Sequence, residues 1–262
     1  MRPPEGEGME GAAAPRRRNP RRGAYLLPSL FTIGNMFLGL YAVVLGLDQH
    51  FKLAALLVFI AGFADSLDGR IARLTGTESE FGKEYDSLAD VITFGVVPAL
   101  LTYLWGLREL HRDAWLCGLF YMVCTATRLA RFNVQTKIVD SRWFVGLPAP
   151  AAAGAVCSLL FFAPGLEDEG RLAMELVVAG VLVLIGLLMV STFRYKSFKS
   201  LDLSRRRSYR IAIPLAAVLL VVYYIPKATF LAIAVLYTLS APVAAVWHRL
   251  VRRSPPGTEP AA

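Results

Sequence analysis

The chain has 262 residues, of which 55% are hydrophobic and 18% charged, with a net charge of +8. A soluble domain carries about 25% charged residues. This composition, with a mean hydropathy of +0.49, therefore excludes an ordinary soluble enzyme and points to one integral membrane domain. The basic residues cluster between apolar runs, which assigns them to topology and to contact with anionic lipid rather than to nucleic acid.

Residues 1–24 are rich in Pro, Gly and Arg and bury no core, so they are expected to form a disordered basic tail with no secretory h-region. From 25 to 250 the pattern predicts a single all-α domain, a polytopic membrane bundle of about eight transmembrane helices, with a flexible tail over 251–262. The spans fall near 27–47, 51–74, 82–107, 113–132, 147–164, 171–192, 209–226 and 228–248. Each is close to the roughly 20 residues a helix needs to cross the hydrocarbon. An open sheet there would leave backbone polar groups in lipid. Cys117, Cys124 and Cys157 all lie in apolar stretches, match no metal or disulfide spacing, and are expected in the core or facing lipid.

Charge sets the orientation. The N-terminal "RRRNPRR", the link holding Lys137 and Arg142, the link "FRYKSFKSLDLSRRRSYR" and the C-terminal "HRLVRR" all fall on one side if the spans number eight. The positive-inside rule then places both termini in the cytoplasm of a multi-pass cell-membrane protein.

Four aspartates interrupt this apolar background. Asp65 and Asp68 are three apart on the second span, and Asp86 and Asp90 are four apart on the third. Both spacings put a pair on one helical face. The short link, about Thr75 to Glu80, makes the two helices antiparallel neighbours, so the carboxylates converge at the cytoplasmic end. An aspartate at mid-membrane costs about 2.5–3.5 kcal/mol on insertion scales, less near the interface, and four together repel. Two divalent cations cancel that charge. All-oxygen ligation favours hard ions such as Mg²⁺, Mn²⁺ or Ca²⁺, and a pair of them can clamp the attacking and leaving oxygens on phosphorus. Gly69, Ala72 and Gly82 keep the facing walls small, and Arg73, one turn after Gly69, can hold phosphate oxygens.

The run Asp65, Asp68-Gly69, Ala72-Arg73, Gly82, Asp86, Asp90 resembles the signature D-x2-D-G-x2-A-R-x8-G-x3-D-x3-D of the CDP-alcohol phosphatidyltransferases, with every spacer matching. The resemblance implies that Asp65, Asp68 and Asp86 bind two ions, Mn²⁺ or Mg²⁺, against the CDP pyrophosphate. It also implies that Asp90 touches a metal and acts as general base, that Gly69 and Arg73 contact the CDP part of the lipid, and that Ser79 joins them. "LPSLFTIGNMFLG", "SEFGKEYDSLADVITFGVVPA", "TRLARFNV", "GLPAPAAAG" and "RYKSFKS" resemble the phosphatidylserine synthase branch of that family; Ser29 departs from it, where Asn is common. The implied substrates are CDP-diacylglycerol and L-serine, and family members are commonly homodimers.

The acceptor's carboxylate then needs a cation. Arg128, Arg131, Arg194 and Lys196 fall at the cytoplasmic ends of spans and are read as serine- or phosphate-binding, with Tyr195 and Asn133 weaker candidates. Thr32 and Asn35 share one stripe of the first span and are read as part of the cytidine pocket, against an interhelical hydrogen bond. "GLPAP" reads as a shaped helix entry rather than a ligand site. The alternatives are an ether-lipid donor, a glycerol phosphate or inositol phosphate acceptor, or, in a different class, a divalent-cation transporter using the aspartates as its path. No motif marks the last two spans.

Overall fold

The structure, a computed structural model, describes residues 26–75, 80–107, 110, 113–135, 143–162, 171–196, 216, 220, 221 and 223–251. For Asp68, Ala72, Arg73, Arg194 and Lys196 the backbone alone is described, and Ser79, with both expected tails, lies outside the described residues.

Seven helices make up almost all of it: α1 (Leu26–Leu47), α2 (Phe51–Thr75), α3 (Glu80–Leu107), α4 (Trp115–Gln135), α5 (Ala149–Phe162), α6 (Arg171–Val190) and α7 (Pro226–Val251). Two short strands, β1 (Trp143–Val145) and β2 (Arg194–Lys196), pair antiparallel. The all-helical membrane class matches the expectation. Four helices, over Leu30–Leu47, Glu80–Leu107, Leu172–Val190 and Pro226–Trp247, are long and apolar enough to cross a membrane. α2 and α4 have the length of a span but carry the site's charges, and α5 is short. The expected span over 209–226 falls mostly outside the described residues.

α1 shows how the bundle meets lipid. Leu30, Ile33, Phe37, Leu40, Tyr41, Val44 and Leu47 form an exposed apolar stripe, while Thr32, Asn35 and Ala42 on the other face are buried. That buried face lies along α2 and α3. Gly39 makes the approach to α3 possible, because a Cβ there would stand 3.1 Å from the Thr93 hydroxyl. α1 packs against both α2 and the start of α3, whereas α2 meets α3 chiefly through Val91–Val96. The two aspartate helices are thus joined along a shared wall rather than packed side by side through their charged turns.

α3 is not uniform. Val91–Val96 and Tyr103–Leu107 are π-helical, the wider turn that recurs at functional sites. Pro98 offers no N–H to the Phe94 carbonyl four residues before it. The buried Tyr121 hydroxyl of α4 donates to that carbonyl instead, at 2.9 Å. The distortion begins directly after Asp90 and so helps to set where that carboxylate points.

The ribbon closes the site end. Gly146 has φ +82°, and any Cβ there would collide with the Met189 carbonyl. Its N–H donates to the Phe193 carbonyl at 2.8 Å, and the Leu147 N–H donates to the Leu188 carbonyl at 3.1 Å. "GLPAP" is therefore a helix entry pinned to the end of α6, as its composition implied. At the other side of the bundle, Phe59 of α2, Phe161 of α5 and Phe230 of α7 meet ring to ring.

Candidate active site

The second half of α2, the first turns of α3, the end of α4 and the β1–β2 ribbon meet at one end of the bundle. Helix spacing brings Asp86 and Asp90 to one face of α3, and Asp65 reaches them from α2. One carboxylate oxygen from each of Asp65, Asp86 and Asp90 lies within 4.8 Å of the others. Asp65 of α2 and Asp90 of α3 thus bring like charges together from two helices. An oxygen of Asp86 and one of Asp90 are buried with no hydrogen-bond partner among the described residues.

Carboxylates this close cannot all stay ionised without a compensating positive charge. Buried carboxylate oxygens left without donors are the ligands a hard divalent ion takes. The donor set thus fits the expected metal. Asp68 lies one helical turn after Asp65, and its side chain is not described.

One cation is already present. Arg128 is 7% exposed, and among the described residues it is the one buried basic side chain. It interacts electrostatically with Asp90, Asp65 and Tyr237, and its guanidinium stands over the Phe132 ring at 5.5 Å from the centroid. Arg131 is used differently: it donates to the Val190 carbonyl at 3.0 Å, capping the end of α6. That bond gives Arg131 a packing contact to the end of α6. Arg194 and Lys196 flank Tyr195 in β2.

On the α1 wall, Thr32 and Asn35 are buried, and neither polar atom of the Asn35 side chain has a partner among the described residues. The Thr93 hydroxyl instead donates to the Asn35 backbone carbonyl at 3.4 Å. Gly69 is exposed, and a Cβ there would touch nothing within 4 Å among the described residues. Among the described residues, then, no helix packs against this small residue beside the aspartates. Gly82 is half-buried one turn before Asp86.

The sequence reading missed several supports. Asn133 of α4 donates to the Ser87 hydroxyl at 2.9 Å and to Glu84 at 3.3 Å, tying α4 to the turn that carries Asp86. Tyr195 is buried and donates to the Thr238 carbonyl at 3.0 Å. Burial, with Tyr237 beside it, pushes its hydroxyl up to about 12, so it remains a donor. Nothing in local spacing announces these contacts, because their partners lie on other helices.

The CDP-alcohol phosphatidyltransferase family model matches residues 25–191. A CDP-diacylglycerol–serine O-phosphatidyltransferase of Helicobacter pylori (strain J99) is 41% identical over 186 residues, covering 69% of this chain and 76% of the relative. A protein of the same name from Bacillus subtilis is 34% identical over 174 residues, covering 66% and 91%. An archaetidylserine synthase of Methanothermobacter thermautotrophicus is 36% identical over 171 residues, covering 64% and 69%.

Proposed function

The chain belongs to the CDP-alcohol phosphatidyltransferase family, and from that premise we infer that it is a phosphatidylserine synthase, a membrane transferase that moves the phosphatidyl group of CDP-diacylglycerol to the hydroxyl of L-serine and releases CMP. The observation that carries this reading is the convergence of Asp65, Asp86 and Asp90 beside a buried Arg128. Serine is the acceptor in the names of both the bacterial and the archaeal relatives, while the lipid part differs. That supports serine more firmly than it supports acyl over ether tails.

Asp65, Asp68, Asp86 and Asp90 would hold two divalent ions, Mn²⁺ or Mg²⁺. When bound, the ions neutralise pyrophosphate charge and make CMP a good leaving group. Thr32 and Asn35 receive the cytidine end, Asn35 using the amide that has no partner among the described residues. Gly69, Ala72 and Gly82 leave room for the CDP moiety, and Arg73 and Ser79 contact it. Arg128 draws the serine carboxylate in against the repulsion of the aspartates, with Arg194 and Lys196 of β2 as its proposed helpers.

Asp90 takes the proton from the serine hydroxyl at its carboxylate oxygen. The serine oxygen forms its bond to the phosphorus of the phosphatidyl group. The bond from that phosphorus to the bridging pyrophosphate oxygen breaks, and the electron pair leaves with CMP. The diacyl tails stay in the bilayer while CDP and serine arrive from water, so the site belongs at the cytoplasmic interface. The Arg- and Lys-rich link that follows β2 supports that orientation, and the working unit is proposed as a homodimer.

The test is incorporation of labelled serine into lipid by purified protein given CDP-diacylglycerol and Mn²⁺, beside glycerol phosphate and inositol phosphate as rival acceptors. A serine-labelled lipid is expected. Incorporation of a rival alone would keep the family and discard the serine reading.

A further inference from the structure

Three successive residues of the π-helical turn that follows Asp90 address three different helices. The Thr93 hydroxyl donates to the Asn35 backbone carbonyl of α1 at 3.4 Å. The Phe94 ring lies against α2, where a Cβ at Gly62 would stand 3.7 Å from it. Gly95 lets α4 approach, since a Cβ there would stand 3.3 Å from the Thr125 side chain. All three residues are buried. Asp90 lies one turn before Phe94 on α3, and Asp65 lies one turn after Gly62 on α2. The Phe94–Gly62 contact therefore governs how far the turn of Asp90 stands from the turn of Asp65, whose carboxylates meet with that of Asp86.

Ordinary helical bonds do not hold this turn. The Val97 N–H donates to the Ile92 carbonyl, five residues back, and Pro98 has no N–H to offer the Phe94 carbonyl. The Tyr121 hydroxyl of α4 takes that place at 2.9 Å. Tyr121 is fully buried, and a membrane interior supplies no water to act in its stead. An N–H of α3 itself would satisfy the carbonyl and leave the turn free to settle into the ordinary helical register. A phenol reaching from α4 satisfies it and also ties the turn to a second helix. The same device recurs in α7, where Pro242 leaves the Thr238 carbonyl to the Tyr195 hydroxyl at 3.0 Å. Of the two phenols, Tyr121 is the one whose acceptor lies a single turn from a site carboxylate.

We propose that Tyr121 is a positioning residue for Asp90: its hydroxyl, standing in for the N–H that Pro98 lacks, holds the π-helical turn in the register that brings the Asp90 carboxylate to Asp65. This inference rests on the reading of Asp90 as general base.

The test measures two quantities on purified full-length protein: the midpoint of thermal unfolding in detergent, and CMP release from CDP-diacylglycerol with L-serine and Mn²⁺. Tyr121→Phe is expected to lower the midpoint and to lower kcat by about tenfold, with KM for serine and for CDP-diacylglycerol within about twofold. Adding Pro98→Ala returns a backbone N–H to the Phe94 carbonyl. The double variant is expected to recover the midpoint but not kcat, because the carbonyl is satisfied while the tie to α4 is still missing. It also serves if Tyr121→Phe alone does not accumulate. Thr102→Val is the control: it removes a buried hydroxyl bonded to the Pro98 and Ala99 carbonyls, lowers the midpoint and leaves kcat unchanged. An unchanged kcat in Tyr121→Phe, or a kcat restored together with the midpoint in the double variant, overturns the proposal and leaves Tyr121 a purely structural residue. Asp90→Asn as active as wild type overturns the reading of Asp90 itself, a result distinct from any behaviour of Tyr121.

Discussion

Polar side chains in the middle of the bundle and those at the site end are treated in opposite ways by the same fold. In the middle, each buried hydroxyl is returned to a nearby carbonyl. Thr102 donates to Pro98 at 2.8 Å, Thr125 to Tyr121 at 2.9 Å, Ser158 to Ala155 at 2.8 Å and Tyr121 to Phe94 at 2.9 Å. At the site end, oxygens of Asp86 and Asp90 and both polar atoms of the Asn35 side chain are buried without partners among the described residues. A membrane interior penalises an unsatisfied polar atom heavily. On the proposed function, the amide and the two carboxylates that have no partner among the described residues are the groups kept for a ligand.

The comparison can be broken by mutation, starting where the effect is largest. Asp90→Asn keeps the shape and removes the base, so kcat is expected to fall by about 10³-fold or more, measured as CMP release at saturating serine. Asp86→Asn removes one of the partnerless oxygens. It is expected to raise the Mn²⁺ concentration for half-maximal activity by about 100-fold, and a metal titration of activity checks it.

Gly146→Ala attacks the ribbon rather than the chemistry. Its positive φ and the Met189 carbonyl in the path of a Cβ predict a loss of about 3 kcal/mol, read as a lower midpoint of thermal unfolding in detergent. Asn35→Leu separates the two regions most sharply. Removing a buried amide that lacks partners among the described residues leaves thermal stability unchanged or raised, while KM for CDP-diacylglycerol rises several-fold. The matching change in the middle, Thr102→Val, removes a satisfied hydroxyl and costs about 1 kcal/mol with KM for both substrates unchanged. If Asn35→Leu and Thr102→Val behave alike, the distinction between the regions fails.

The acidic half of the site was legible in the sequence because its geometry is local. Spacings of three and four on helices, and a short link between them, are enough to bring Asp65, Asp86 and Asp90 together. Arg128 was legible as one of several cations at helix ends. What singled it out from Arg131 was tertiary: Arg128 is buried, while Arg131 caps α6. The membrane helices were legible from apolar length, and their joints were not. The β1–β2 pair depends on two distant segments meeting, and a run such as "RYK" has no strand period to show. The π-helical turn directly after Asp90 is met by a hydroxyl from another helix, a contact that spacing along α3 does not mark.

The measurement that tests the central claim most directly is CMP release from CDP-diacylglycerol by purified protein with Mn²⁺, with and without L-serine. The account predicts release that depends on both serine and metal and that yields one serine lipid per CMP. Release that ignores serine, or proceeds undiminished after the metal is chelated, would contradict it.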